Sequence, residues 1–299
     1  MTDLPRTTRF RRLLTSHELS FVMEAHDALS ARIAQEAGFE AIWASGLSMS
    51  ASMGVRDANE ASWTQVLEHV EFMADATTVP IMVDADTGYG NFNNVRRLVR
   101  KLEDRGVAAM CIEDKLYPKT NSYIRGEEQP LMDVAEFCGK LRAAKDTQRD
   151  ADFTVVARCE ALITGLGMGE ALYRAEAYRE AGADAVLVHS KQPTADEIVE
   201  FMASWSGACP IVIVPTTYYR TPPEVFERAG IAAVIWGNQL LRASVAALQR
   251  MAGELARTRT LAGIEEHIAT VKEIFRLTDS AELDEAEARY LPSATRSRL

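Results

Sequence analysis

Short continuous runs of apolar residues alternate along this chain with stretches where apolar positions recur every third or fourth residue. Four of the runs share a pattern, at 37–43, 105–111, 181–187 and 229–235, in which a glycine ends a helical stretch and an apolar strand follows. Glycine suits that point because it reaches the left-handed backbone that stops a helix. Runs of a second kind lie at 79–86, 153–160 and 210–217, and 19–25 supplies a first strand, making eight. In between, Val95, Leu98, Val99 and Leu102 fall at helical spacing, while Arg96, Arg97, Arg100 and Lys101 take the rest of the turn. Apolar strands that do not alternate with polar residues are buried on both faces, and helical crossovers make them parallel. Eight such units predict an α/β fold, the (β/α)8 TIM barrel. A doubly wound open sheet is the alternative. The two alternating strand types favour closure, because alternate strands fill alternate layers of a barrel core.

The chain reads as a single barrel domain over 1–299, with the barrel at about 19–257 and a C-terminal helical extension at 258–299. Helical patterning at 239–257 and 263–289 exceeds what one barrel needs. The surplus predicts helices packed on a partner subunit, and hence an oligomer.

A length of 299 residues with 47% hydrophobic and 25% charged side chains suits a globular protein with a full core. The net charge of −10 argues against a nucleic-acid surface and leaves any anionic substrate in need of a cation and local donors. The cysteines, Cys111, Cys138, Cys159 and Cys209, lack metal-ligand spacing, and Cys111 and Cys159 sit inside apolar runs. A reduced, cytoplasmic protein is the simplest expectation. The basic start, Arg6, Arg9, Arg11 and Arg12, is not followed by the apolar run of a signal peptide. No stretch reaches the roughly 18 apolar residues of a membrane span.

In a TIM barrel the active site forms at the C-terminal ends of the strands. That rule gathers Trp43, Ser45, Gly46 and Leu47 after the second strand, Asp84 and Asp86 after the third, and Glu113, Asp114 and Lys115 after the fourth. It adds Arg158 and Glu160, His189, Pro215 and Thr216, and Asn238 from the later strands. Asp84, Asp86 and Glu113 offer hard oxygen donors with no histidine or cysteine cluster beside them, which suits Mg²⁺ or Mn²⁺. The alternative is that these are turn residues at strand ends. Arg158, in an apolar strand, needs a partner. It is either a fork for a carboxylate or phosphoryl group or an ion pair with Glu160 or Glu113. His189 ends an apolar run, His69 and His267 lie in helical patterns, and His26 is open to either reading. Gly46 and Leu47 could present backbone N–H groups to an anion. Asp57 sits in a loop before a helix at Trp63, where helix capping is the plain alternative to chemistry.

Two motifs then resemble a known family: Asp84-Ala85-Asp86-Thr87-Gly88-Tyr89-Gly90-Asn91, and Glu113-Asp114-Lys115 with Lys119-Thr120-Asn121-Ser122. Together with a weaker segment at 271–276, they make the chain similar to the phosphoenolpyruvate mutase branch of the isocitrate lyase superfamily, from about Leu19 to Pro292. The resemblance implies an isomerase of phosphonate biosynthesis that interconverts phosphoenolpyruvate and phosphonopyruvate with Mg²⁺. It implies metal binding by Asp84, with Asp86 and Glu113 acting through water, and a pyruvate pocket of Trp43, Ser45, Gly46 and Leu47. Arg158 and His189 would contact the transferred group and nearby oxygens, Asp57 would be a nucleophile or an electrostatic guide, and Lys119, Asn121 and Ser122 would lie on a gating loop whose far side Gly126 and Pro130 could bracket. It also implies a homotetramer with swapped C-terminal helices. The lyase branch carries a cysteine and a histidine after the fourth strand, and 115–130 contains neither. Phosphonopyruvate hydrolase is the nearer alternative, and the asparagine at Asn121 favours the mutase.

Overall fold

In the computed structural model, residues 4–124, 126–207 and 209–291 are described; the final part of the predicted extension, 292–299, lies outside them. The described chain divides into two compact units, 1–241 and 242–299.

The first unit is a closed barrel of eight parallel strands in sequence order. They are β1 (Ser20–Ala25), β2 (Ala41–Ala44), β3 (Ile81–Asp84), β4 (Ala109–Glu113), β5 (Thr154–Cys159), β6 (Ala185–Val188), β7 (Ile211–Ile213) and β8 (Ala233–Trp236). The helix-stop glycines of the repeat, Gly38, Gly106, Gly182 and Gly230, all have positive φ. The strands are shorter than the apolar runs suggested: the 79–86 run keeps only Ile81–Asp84 in the sheet, and 210–217 only Ile211–Ile213. The residues beyond these ends leave the ladder to form the rim of the barrel, and Asp86 turns there with φ of 48°.

Period-two alternation decides which side chains reach the site. The barrel interior is filled by Val22, Ala41, Trp43, Met82, Ala109, Cys111, Val156, Ala185, Leu187, Val212, Ala233 and Ile235. Counting on by twos from these positions points Ser45, Asp84, Asp86, Glu113, Arg158, Glu160, His189 and Thr216 inward at the C-terminal rim. The other parity faces the helices. The helix Phe92–Asp104 buries Val95, Leu98, Val99 and Leu102 there, as its spacing predicts, and Asn91 caps it. Gly88 makes the close turn from β3 into this helix: its φ is +82°, and a Cβ would lie 2.5 Å from Val95 Cγ2. An N-terminal helix not predicted from the sequence, Arg6–Thr15, buries Phe10 and Leu14 against the interior layer.

The second unit carries the remainder of the helix Gln239–Thr258 and the helices Val271–Leu277 and Ser280–Tyr290. Val271 and Phe275 are 69% and 56% exposed and sit one turn apart. No helix among the described residues is long and apolar enough to cross a membrane.

Candidate active site

β4 ends in two adjacent carboxylates with opposite fates. Asp114 faces away from the barrel interior and accepts from Tyr178 Oη at 2.5 Å, the Glu160 backbone N–H at 2.9 Å and Arg174 Nη1 at 3.2 Å. Burial raises its pKa to about 6, against the pull of those donors. Glu113 faces inward. Its Oε2 lies 3.4 Å from Arg158 Nε and 3.8 Å from Lys115 Nζ, and its buried Oε1 has no hydrogen-bond partner.

The segment 115–124 folds back over the rim. Its stem is a bridge between Lys115 and Leu131 together with the Met132 N–H bond to Asp114 O at 2.7 Å. Its tip meets the 54–60 loop. Lys119 Nζ donates to Asp57 Oδ1 at 2.6 Å, and Asn121 Nδ2 donates to Asp57 Oδ2 at 2.6 Å. Burial alone would raise the Asp57 pKa, but the Lys119 ammonium and the two hydrogen bonds hold it below the usual carboxylate range. Lys119 is also 2.9 Å from Asp86 Oδ1, out of line for a hydrogen bond. Burial works against the ammonium, yet the carboxylates around it raise its pKa well above normal.

Arg158 makes the ion pair that was one of its two readings, to Glu160 Oε1 at 2.5 Å, and it also reaches Ser122 Oγ at 3.1 Å and the His189 ring at 2.9 Å. His189 Nδ1 is 2.8 Å from Glu160 as well. A neutral ring can make only one of these two bonds: Nδ1–H donates to Glu160, or bare Nδ1 accepts from Arg158. Burial lowers the His189 pKa despite the nearby carboxylate. Ser122 accepts from Lys115 Nζ and donates to Glu160 Oε2 at 2.7 Å. Ser45 caps the helix Gly46–Ser52, and the Gly46 N–H donates to Asp84 Oδ2 at 3.2 Å rather than to open space.

The predicted residues converge. Of the residues expected to bind metal, hold the pyruvate or act on the transferred group, all except Gly46, Asp86 and Glu113 line one cavity of about 50 Å³, and those three bond or pair with residues that do. Such a volume holds only a few waters at ~10–15 Å³ each. Sequence reasoning assigned no role to Asn59, Lys115 or Tyr123, although all three are placed at the site. Asn59 joins Asp86 to the Lys119 backbone. Lys115 is 1% exposed beneath Ser122, and Tyr123 lies edge-on to His189 with its hydroxyl 3.3 Å from Nε2. His26 resolves as structural: its ring pairs with Glu24, which in turn accepts from the Leu240 and Leu241 N–H groups.

Five carboxylates (Asp57, Asp84, Asp86, Glu113 and Glu160) crowd three cations (Lys115, Lys119 and Arg158). Two positive charges are lacking, and Asp86 registers the shortfall. Its pKa is pushed to about 7, by burial first and then by Asp84, Asp57 and Glu113, with Lys119 opposing. No three Asp, Glu, His or Cys side chains among the described residues close into a direct metal shell. Mg²⁺ keeps most of its waters and needs only one or two carboxylates, so the crowded oxygens and the unpartnered Glu113 Oε1 fit such an ion.

The model of the phosphoenolpyruvate phosphomutase family matches residues 10–256. The chain belongs to that family. It is 52% identical over 286 residues to a phosphoenolpyruvate phosphomutase of Tetrahymena pyriformis, covering 96% of this chain and 95% of the relative. A solved phosphoenolpyruvate phosphomutase from Streptomyces platensis subsp. rosaceus superposes with a TM-score of 0.93 at 43% identity, over 96% of this chain and 99% of the other. A phosphonopyruvate hydrolase solved with oxalate and Mg²⁺ superposes at 0.91 and 39% identity, over 97% of this chain and 100% of the other. Both structures share the family's closed barrel.

Proposed function

We propose that this protein is a phosphoenolpyruvate mutase, an isomerase that moves a phosphoryl group between the enolate oxygen and C3 of pyruvate. The observation that carries the reading is the Asp57 carboxylate, gripped at 2.6 Å by both Lys119 and Asn121 of the covering segment. In the forward direction the P–O bond breaks and a P–C bond forms, with no water consumed and no change in net charge. Such transfers pass through a loose transition state, so positioning and charge stabilisation do most of the work.

Trp43, Ser45, Gly46 and Leu47 would hold the pyruvate portion. Asp57, kept ionised by its two donors, would receive or guide the phosphoryl group. Lys119, Asn121, Ser122, Arg158 and His189 would surround its oxygens, and the cover would keep out water that could otherwise capture the group. Mg²⁺ (or Mn²⁺), held by Asp84 with Asp86 and Glu113 through water, would supply charge stabilisation at the enolate. The donor set and the two-charge deficit support that ion, as does the Mg²⁺ of the hydrolase relative.

The test is ³¹P NMR with phosphonopyruvate and Mg²⁺. Phosphoenolpyruvate should appear and cease to form when EDTA is in excess. Inorganic phosphate and pyruvate alone would replace the mutase reading with hydrolysis, the activity named for the more distant, 39%-identical relative.

We also propose a homotetramer with exchanged C-terminal helices. Exposed apolar side chains on the second unit support it, with Leu248 68% and Leu283 57% exposed beside Val271 and Phe275. Light scattering at micromolar concentration should give four times the chain mass, and a monomer mass would remove the idea. The four cysteines are free thiols, which supports a reducing, cytoplasmic setting.

A further inference from the structure

We infer that Asn59 is a positioning residue that ties closure of the 115–124 cover to the Asp86 carboxylate. Its side-chain amide is used at both ends. Oδ1 accepts the Lys119 backbone N–H at 2.7 Å, and Nδ2 donates to Asp86 Oδ2 at 2.8 Å. The partners lie 60 and 27 residues away in the chain. An asparagine serving only its own turn would instead bond locally, to backbone two residues on.

The backbone conformation points the same way. Asn59 has φ of 55°, in the left-handed region that asparagine visits more readily than most residues. The turn is pinned separately by Arg56, whose backbone N–H and guanidinium both bond Glu60, at 2.9 and 3.0 Å. Asn59 is therefore not needed to close its own loop. With that turn in place, Asp57 and Asn59 face the same segment and grip one residue by different groups. Lys119 is held by its ammonium through Asp57 and Asp86, and by its backbone through Asn59. Without Asn59 the ammonium contacts remain, but the main chain at the tip of the cover loses its only described anchor to the loop opposite, and Asp86 Oδ2 loses the amide donor 2.8 Å away. The amide thus makes one unit of the carboxylate and the cover. The kinetic part of this inference rests on the mutase reading; the structural part does not.

Hydrogen exchange followed by mass spectrometry separates the two. Asn59→Gly keeps the left-handed turn and removes the amide. Exchange across 115–124 should rise at least about tenfold, because a local opening costs less once one of its bonds is gone, and kcat should fall at least about tenfold with Tm nearly unchanged. Unchanged exchange in 115–124 would overturn the inference whatever happened to kcat. Faster exchange in the variant, beside a parent protein that itself turns over no phosphonopyruvate, would leave the structural part of the inference standing and remove the mutase reading. Asn59→Asp is the second variant, retaining size, turn preference and the acceptor for Lys119 while setting a second carboxylate against Asp86. It should keep the Lys119 amide protected and still lose activity; wild-type kcat in this variant would also overturn the coupling.

Discussion

Replacing Asp57 with alanine is expected to lower kcat at least about a thousandfold, or roughly 4 kcal/mol of transition-state stabilisation, with the unfolding temperature within a few degrees of the parent. The loss should be large because one carboxylate carries two tasks. It faces the space where the phosphoryl group would move, and it holds both donors of the cover, Lys119 and Asn121. The fold should survive because Asp57 lies in the 54–60 loop and not in the barrel core, and because Lys119 keeps Asp86 at 2.9 Å as a counter-charge. Asp57→Asn separates the tasks. It preserves shape and one acceptor for the cover, but it cannot act as an anionic acceptor or guide. If Asn restored most of the activity lost in the Ala variant, holding the cover would be the main role of this side chain. Undiminished turnover in both variants, measured by steady-state kinetics with a thermal melt as control, would take Asp57 out of the reaction.

The barrel was legible because its signal is local and repeated. Each glycine stop sits beside its strand, and the strand-end rule then converts a linear sequence into a rim. The rim residues that carried both an expected polarity and an expected strand position, such as Asp84, Glu113, Arg158 and His189, could be named this way. Asn59 and Tyr123 could not, and Lys115 could be placed on the rim but given no role there. Their placement depends on how two loops meet, and loop-to-loop contact has no periodicity to read. Lys115 was visible as part of a strand end, but a lysine there is ordinarily solvated; its burial follows from Ser122 and Glu160 closing over it. The signal that could have found Asn59 was its type, since an asparagine two residues after a candidate catalytic aspartate is compatible with a left-handed turn. The N-terminal helix was missed for a related reason. Phe10 and Leu14 are one turn apart in a basic segment, and only the open end of the barrel gives them somewhere to go.

The neighbours Glu113 and Asp114 offer the sharpest separation of chemistry from stability, since one residue of register sends them to opposite faces of β4. Asp114→Ala should destabilise the protein by about 3–5 kcal/mol, the cost of breaking a buried pair and leaving two buried donors without an acceptor, which corresponds to a fall in Tm on the order of 10 °C. Arg174 would keep only the partly exposed Glu170, at 2.7 Å, as counter-charge, and Tyr178 Oη and the Glu160 N–H would lose their acceptor. Glu113→Ala should do the reverse. Arg158 retains Glu160 at 2.5 Å, and removing Glu113 relieves one of the charges that raise Asp86, so the melt should barely move. Activity should fall about 10–100-fold, as expected for a carboxylate that acts on the metal through water, and a titration of Mg²⁺ dependence should show weaker apparent binding. Calorimetry and kinetics on the two variants together decide the matter. If Glu113→Ala melted early and Asp114→Ala lost only activity, the inward and outward assignments on β4 would be wrong, and with them the carboxylate cluster at the rim. If both lost activity in proportion to stability, Glu113 would be no more than a structural partner of Arg158, and the case for a water-mediated ion at Asp84 would have to stand without it.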